Sequence, residues 1–545
     1  MMTIRLHTGL LFNITTLRIN MTLTGAHLIG TNEVLGKSTF KAFNPINGSE
    51  SDCNFSEGTT DHANSACDLA EDSFEIFRNS SSLQRAELLE KIAEEIMNIG
   101  DKLIHQVHME SGLPLPRIQG ERGRTCGQLL LFAEVLREGS WVNAIIDNSD
   151  SARMPLVKPD TRSMQVALGP VAIFGASNFP LAFSVAGGDT VSALAAGCPV
   201  IVKGHPAHPG TSEMVGKAII KAIKSCGLPN GIFSLIQSSN YLVSEILVKH
   251  PKIKAVGFTG SLKGGRHLYN LANSRVEPIP FYGEMGSINP VFLLNDALDD
   301  DTNNFAKEYI ASLTMGVGQF CTNPGLLIAQ KSQKLDSLLE DLSLNFGGSI
   351  TGPMLTKGIQ DSLNQGIKNI KSQSGVEVLA HNSANQNHSF SQNMIVTVSA
   401  ESFINNSDLH EEVFGPVGIV VICKDKEEIM KVAESLKGQL TATIHTTKSN
   451  DKFTRDLFNK LTQIAGRILF NGFPTGVEFN RSMVHGGCYP ATTDSRSTSV
   501  GTQAIYRFTR PVCYQDTPEY LLPTELKNNN PLNIYRMIDG VMTNA

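Results

Sequence analysis

The sequence predicts an α/β protein built on parallel sheets, and three observations carry that reading. From residue 170 onward short apolar runs alternate with longer amphipathic ones, the order of βα units whose strands lie parallel. A second stretch of the same kind runs from about Glu284 to Gly487. The chain of 545 residues is also longer than one hydrophobic core ordinarily holds, so two or three domains are expected.

In chain order, residues 1–20 hold Arg5 and a short Leu10-Leu11-Phe12 cluster without a small-residue cleavage pattern, so no secretory signal is expected. They read as a disordered or non-native extension, with Met21 as the natural start. Residues 60–140 are rich in helix formers, most clearly over 83–99 and 125–136, with breakers at Gly100, Pro114 and Pro116. The runs 171–174, 200–202, 232–236, 255–258 and 291–294 read as strands, and 181–196, 212–225 and 243–250 as the crossover helices between them. In the second stretch, strands are expected at 325–329, 418–423 and 441–445. Residues 372–393, crowded with Ser, Asn, Gln and His, read as an exposed loop because they offer little to bury.

Composition excludes several classes. With 46 basic against 52 acidic side chains and no basic block, nothing draws the chain to nucleic acid or to an anionic membrane. No apolar run approaches the roughly 20 residues of a membrane-spanning helix. Nine cysteines without a CxxC pair suggest neither a disulfide framework nor a zinc site, and fit a reducing, cytoplasmic setting. His105 and His108, like His205 and His208, have ligand spacing but no Cys or carboxylate partner nearby, so no metal is expected.

Three segments combine reactive side chains with glycine near strand ends, where doubly wound sheets gather their sites: Gly175-Ala-Ser-Asn178-Phe-Pro180, Glu284-Met-Gly286-Ser-Ile-Asn289-Pro290 and Gly318-Gln-Phe-Cys321. Each residue alone has a plainer reading. Cys321 could be a small buried hydrophobe, Glu284 a solvated carboxylate and Asn178 the cap of the next helix.

Together with Val202-Lys203 followed by Pro209, Phe258-Thr-Gly-Ser261 and Glu411-Glu-Val-Phe-Gly-Pro416, these segments resemble the aldehyde dehydrogenase superfamily over about residues 21–525. The resemblance implies a Rossmann-like parallel-sheet cofactor domain (21–153 and 168–283), an α/β catalytic domain (284–487), an oligomerisation arm (154–167 and 496–514) and a C-terminal tail (515–545). It makes Cys321 the thiolate that attacks an aldehyde, Asn178 and the Cys321 amide the oxyanion donors, and Glu284 the base that activates water against the thioester. Glu284 is then expected to be mobile beside Gly286. The cofactor, NADP or NAD, would take Lys203 at the adenosine ribose and the turn Gly260-Ser261 to Gly265 at the pyrophosphate, with Glu412 and Phe414 beside the nicotinamide ribose.

One departure bears on cofactor choice: relatives that prefer NAD usually carry glutamate three residues beyond the lysine, where this chain has Pro206. NADP is therefore expected to be accepted and even preferred, with His205 or His208 helping Lys203, unless both histidines only shape the turn. The ending, from Asn471-Gly-Phe-Pro-Thr-Gly-Val477 through Met483-Val-His-Gly-Gly487 and Tyr489-Pro-Ala-Thr-Thr493 to Asp494-Ser-Arg-Ser-Thr-Ser499, resembles the branch whose substrate is 2,5-dioxovalerate (α-ketoglutarate semialdehyde). That branch also holds an NADP-linked fatty aldehyde enzyme, the alternative substrate class. A substrate carboxylate needs a cation, for which Arg124 in Gly123-Arg-Thr-Cys-Gly127 is the candidate, with Phe183 beside the substrate. A cysteine hydrolase, an acyltransferase or an inactive homologue are the other readings, and a homodimer or homotetramer is the expected assembly.

Overall fold

A computed structural model describes residues 22–298, 302–349, 351–383, 390–448 and 450–544. The expectation for residues 1–20 lies outside them. Three large sheets organise the chain. The first runs, in order across the sheet, Phe281–Glu284, Ala255–Thr259, Val171–Phe174, Val200–Lys203, Phe233–Ile236, His27–Ile29 and Asn32–Val34. Its first five strands are parallel, and the last two add antiparallel at the far edge. Their near-continuous apolar sequences are those of strands covered on both faces. In the strand Val171–Phe174, Val171 and Ile173 join the core beneath the helices Ser82–Ile99, Leu115–Glu138 and Pro209–Ser225. Ala172 and Phe174 point the other way, into a core with Ala63 and Ala66 of the helix Thr60–Arg78 and Leu247 of Leu242–Lys249.

The second sheet runs Glu377–Ser383, Gln392–Ser399, Val417–Cys423, Leu326–Gln330, Pro290–Leu293, Gln439–His445 and Ala465–Phe470, parallel except at its first pair. Only five residues part its strand Pro290–Leu293 from the strand ending at Glu284 in the first sheet, so Glu284 stands at the crossing from one sheet to the other. The third sheet pairs Thr509–Gln515 with Thr161–Ala167, then Ile145–Asp147, Arg536–Ile538 and Val541–Thr543. Residues 515–545 thus contribute two strands to it.

The structure corrects three expectations. The stretch 372–393 contains the strand Glu377–Ser383 and the start of Gln392–Ser399. An edge strand needs only one apolar face, so Ala380 is buried while Val378 remains exposed, and the polar composition is that of the open side. The helix expected over 181–196 is confined to Gly188–Ala196, because the preceding residues fold back in turns held by Ala176 N to Phe183 O at 2.8 Å. Pro114 and Pro116 start a helix instead of breaking one: Pro114 stands at the N-cap of Leu115–Glu138 and Pro116 in its first turn, where no backbone N–H is missed.

Candidate active site

Glu284, Cys321 and His485 meet where the two parallel sheets join. Cys321 follows the tight segment Gly316, Val317, Gly318, three consecutive left-handed residues. A Cβ on Gly318 would stand 2.3 Å from Gly415 C, so the close approach of the 412–416 loop requires glycine there. The Cys321 Sγ lies 3.3 Å from His485 Nε2, and His485 Nε2 lies 2.9 Å from Glu284 Oε1. Ser499 Oγ donates to the other Glu284 oxygen. Glu284 and His485 are both nearly inaccessible to water, which rejects the solvated-carboxylate reading of Glu284. In this conformation the carboxylate is bonded to Ser499 and His485.

The electrostatics follow from burial and neighbours. Burial, then the Glu284 and Glu412 carboxylates, push the Cys321 thiol well above its ordinary range, with Arg467 opposing. For Glu284 burial alone would raise the carboxyl, but His485, Ser499 and Arg507 outweigh it and hold it below its ordinary value. The thiol therefore rests neutral. His485 Nε2 faces both Sγ and Glu284 Oε1 with one hydrogen position: with hydrogen on Nε2 it donates to Glu284, and with hydrogen on Nδ1 it can accept the thiol proton. This arrangement can make a thiolate on demand and can polarise a water. His485 went unread because its partners lie 164 and 201 residues away in sequence. Its one signal was its place in the Met483-to-Gly487 segment. The three donor atoms also lie within 4.8 Å of one another, as in a metal cluster. His485 Nε2 contacts both of the others, at 3.3 Å from Cys321 Sγ and 2.9 Å from Glu284 Oε1.

Asn178 is buried at the end of the sheet with its Nδ2 donating to Gln319 O at 2.9 Å, next to Cys321. It caps no helix, since the next one begins at Gly188. Arg124 stands on the helix Leu115–Glu138 with its guanidinium over the rings of Phe183 at 5.4 Å and Phe479 at 5.6 Å. Both of its Nη atoms are buried without a hydrogen-bond partner, and the guanidinium feels the charges of Glu121, Glu478 and, least of the three, Cys321. Phe183 in turn packs edge-on to His485 with ring centroids 6.1 Å apart. Arg124, Phe183, His485 and Cys321 thus form one continuous run of contacts.

Of the residues expected at a dinucleotide, Lys203, Gly260, Ser261 and Gly265 lie at or just beyond the carboxyl ends of the first sheet, while Glu412 and Phe414 precede strand Val417–Cys423 of the second. Ser261 caps the helix Leu262–Asn273, its Oγ accepting from Gly264 N at 3.2 Å. Gly260 N donates to Glu284 O at 3.1 Å. A Cβ on Gly265 would stand 2.7 Å from Met285 Sδ, so glycine lets that helix sit against the segment after Glu284. Lys203 Nζ donates to Ser238 O at 2.8 Å and has further N–H groups to offer. Burial lowers its ammonium to about 8, with Glu57 opposing. Glu412, pushed up to about 8 by burial, folds over Gly286, where a Cβ would stand 2.6 Å from its Oε2. Glu412 and Phe414 line a cavity with Ser287, Gly318 and Phe320. A helix N-terminus, together with a lysine on the same sheet end that has N–H groups to spare, suits a pyrophosphate and a ribose, so the residues present fit a nicotinamide dinucleotide.

The two histidines after Lys203 do not supply the expected charge. His208 Nε2 lies 3.1 Å from Ala176 O, and His205 Nδ1 accepts from Ala207 N at 3.1 Å. Burial holds His208 down to about 4 and His205 well below its usual value, so both are neutral and shape the turn.

Comparison with known proteins agrees with the geometry. The aldehyde dehydrogenase family profile matches residues 34–510. The chain is 48% identical over 522 residues to alpha-ketoglutaric semialdehyde dehydrogenase 2 of Azospirillum brasilense, covering 95% of this chain and 99% of that one. It is 47% identical over 495 residues to an alpha-ketoglutaric semialdehyde dehydrogenase of Acinetobacter baylyi, covering 90% and 93%. Among solved structures, the 1-pyrroline-5-carboxylate dehydrogenase from Thermus with bound NAD superposes with a TM-score of 0.75 at 21% identity, over 90% of this chain and 92% of that one, a likeness of fold.

Proposed function

The chain belongs to the aldehyde dehydrogenase family, and within it we propose that the enzyme oxidises 2,5-dioxovalerate, the semialdehyde of α-ketoglutarate, to 2-oxoglutarate with NAD or NADP. Cys321 gives its proton to His485 and attacks the aldehyde carbon. The Asn178 side-chain amide and the Cys321 backbone N–H receive the oxyanion. A nicotinamide held beside Glu412 and Phe414 would supply the hydride acceptor, and Cys321 keeps the acyl group as a thioester. Glu284, oriented by Ser499, then draws the proton from a water that attacks the thioester, and the carboxylate product leaves with the thiol restored.

The observation that carries the substrate is Arg124. The Arg124 guanidinium lies between two aromatic rings with both Nη atoms buried, and although Glu121 and Glu478 act on its charge they take none of those N–H groups, which a bound anion can. The carboxylate of a short keto acid semialdehyde supplies that anion. An alkyl chain does not, which disfavours the fatty aldehyde alternative. The test compares wild type with Arg124→Met on 2,5-dioxovalerate and hexanal. The variant should lose roughly 2–4 kcal/mol of transition-state stabilisation on the keto acid and little on hexanal. Equal losses on both, or a wild type that prefers hexanal, would overturn the assignment.

The cofactor preference inferred from Pro206 persists in weaker form, since Lys203 is the cation that supports a 2′-phosphate while the neutral histidines add nothing. We further propose that the enzyme self-associates through the third sheet and the loop before it.

A further inference from the structure

Arg117 sits in the first turn of the helix Leu115–Glu138, two turns from Arg124, and touches both segments assigned above to the oxyanion donors. Its Nη2 donates to the backbone oxygen of Asn178 at 2.8 Å. Its guanidinium also lies over the rings of Phe179 at 4.9 Å and Phe320 at 4.8 Å. Phe179 follows Asn178 and Phe320 precedes Cys321, and the two rings meet edge to face at 5.1 Å. One planar cation therefore clasps the immediate neighbours of both donors. Resting on that assignment of the donors, we propose that Arg117 is a positioning residue that fixes the spacing between the Asn178 side-chain amide and the Cys321 backbone N–H.

The surroundings are built for this clasp. Gly316 has φ +56°, and a Cβ there would stand 2.5 Å from the Phe320 ring and 2.8 Å from Arg117 Nη1, so the loop before Cys321 closes on the guanidinium only because that residue has no side chain. One turn along the same helix face, Glu121 accepts from Leu181 N at 2.8 Å and Ala182 N at 3.1 Å. The helix thus grips the 178–182 segment at both ends, through Arg117 and through Glu121. Lysine could reach one carbonyl. Only arginine can donate in its plane while presenting a flat face to two rings. Arg117 meets no reacting atom, so its effect passes through Asn178 and the Cys321 loop. A donor displaced by a fraction of an ångström no longer meets the oxyanion.

The test is a double-mutant cycle of Arg117→Met and Asn178→Ala, read as the single-turnover rate of reduced-cofactor formation. Arg117→Met should slow that rate about tenfold or more, with KM and the iodoacetamide reaction of Cys321 within about threefold of wild type. In the Asn178→Ala background the same change should cost less than about threefold, because the donor it positions is already gone. Arg117→Lys, which keeps the charge and guards against misfolding of the Met variant, should give an intermediate loss with the same non-additivity. Losses that multiply in the double mutant, a parallel fall in thiol alkylation, or a normal rate in Arg117→Lys beside a slow Asn178→Ala would overturn the proposal. A normal rate in Asn178→Ala alone would instead remove the oxyanion assignment, and this proposal with it.

Discussion

At Cys321 two neighbours act in opposite directions on one proton. The Glu284 carboxylate opposes the thiolate, while the His485 nitrogen 3.3 Å away offers the proton a destination. His485→Ala should therefore lower the iodoacetamide rate of Cys321 at pH 7 by about tenfold or more. Glu284→Gln should raise that rate by removing the repulsion, yet stall turnover after a burst of reduced cofactor because no base remains for water. Slowed alkylation in both variants would instead make Glu284 the thiol's base. Lys203 gives a second residue-scale expectation. Its folded value is lowered to about 8, so the ammonium is present below that pH and is lost above it. NADP affinity should accordingly fall above pH 8, approaching tenfold per pH unit, while NAD affinity falls less for want of a 2′-phosphate. Dissociation constants measured by cofactor fluorescence from pH 7 to 9.5 would show it, and parallel pH profiles for the two cofactors would remove Lys203 from the 2′ position.

The helix Leu115–Glu138 shows what element-scale reading of sequence can and cannot deliver. Its three interior glycines, Gly120, Gly123 and Gly127, blur the helical pattern, so within the helical stretch 60–140 only 125–136 of this helix stood out clearly. The glycines differ in cause. A Cβ on Gly123 meets nothing within 4 Å, whereas one on Gly127 would stand 2.7 Å from the Phe479 ring. Gly123→Ala should stabilise the protein by about 0.5–1 kcal/mol, visible as a higher melting temperature with unchanged kinetics. Gly127→Ala should push Phe479 off Arg124 and raise KM for the keto acid severalfold while sparing cofactor affinity. Unchanged KM would detach Phe479 from the substrate wall. The parallel strands were legible for the opposite reason, since Val171–Phe174 and Val417–Cys423 are apolar along almost their whole length. Strand Glu377–Ser383 was not, because an edge needs one apolar side only. Cys321, Glu284 and Asn178 were legible through their motifs, whereas Arg117 and His485 act through contacts that local sequence does not encode.

On the scale of the whole molecule, the two parallel sheets are joined at the site itself, and the third sheet is built away from it from three distant stretches of chain. Strand Thr509–Gln515 forms one outer edge of that sheet, with no further strand paired to its open side among the described residues. Beside the strand Thr161–Ala167 the chain presents Met154, Leu156 and Val157 at 84%, 73% and 60% exposure. This loop is not slack, because Arg153 donates to Leu156 O at 2.9 Å and to Val157 O at 3.3 Å and so holds the apolar side chains outward. Burying three such side chains in a partner contributes roughly 1.5–3 kcal/mol each, enough to decide assembly when an open strand edge lies in the same sheet. Sedimentation at micromolar concentration should show a homo-oligomer for wild type. The triple variant Met154→Ser, Leu156→Ser, Val157→Ser should shift it toward monomer with little change in melting behaviour, since none of these side chains joins the core. A monomeric wild type would refute self-association through this sheet, and an oligomer unmoved by the triple variant would place the interface elsewhere.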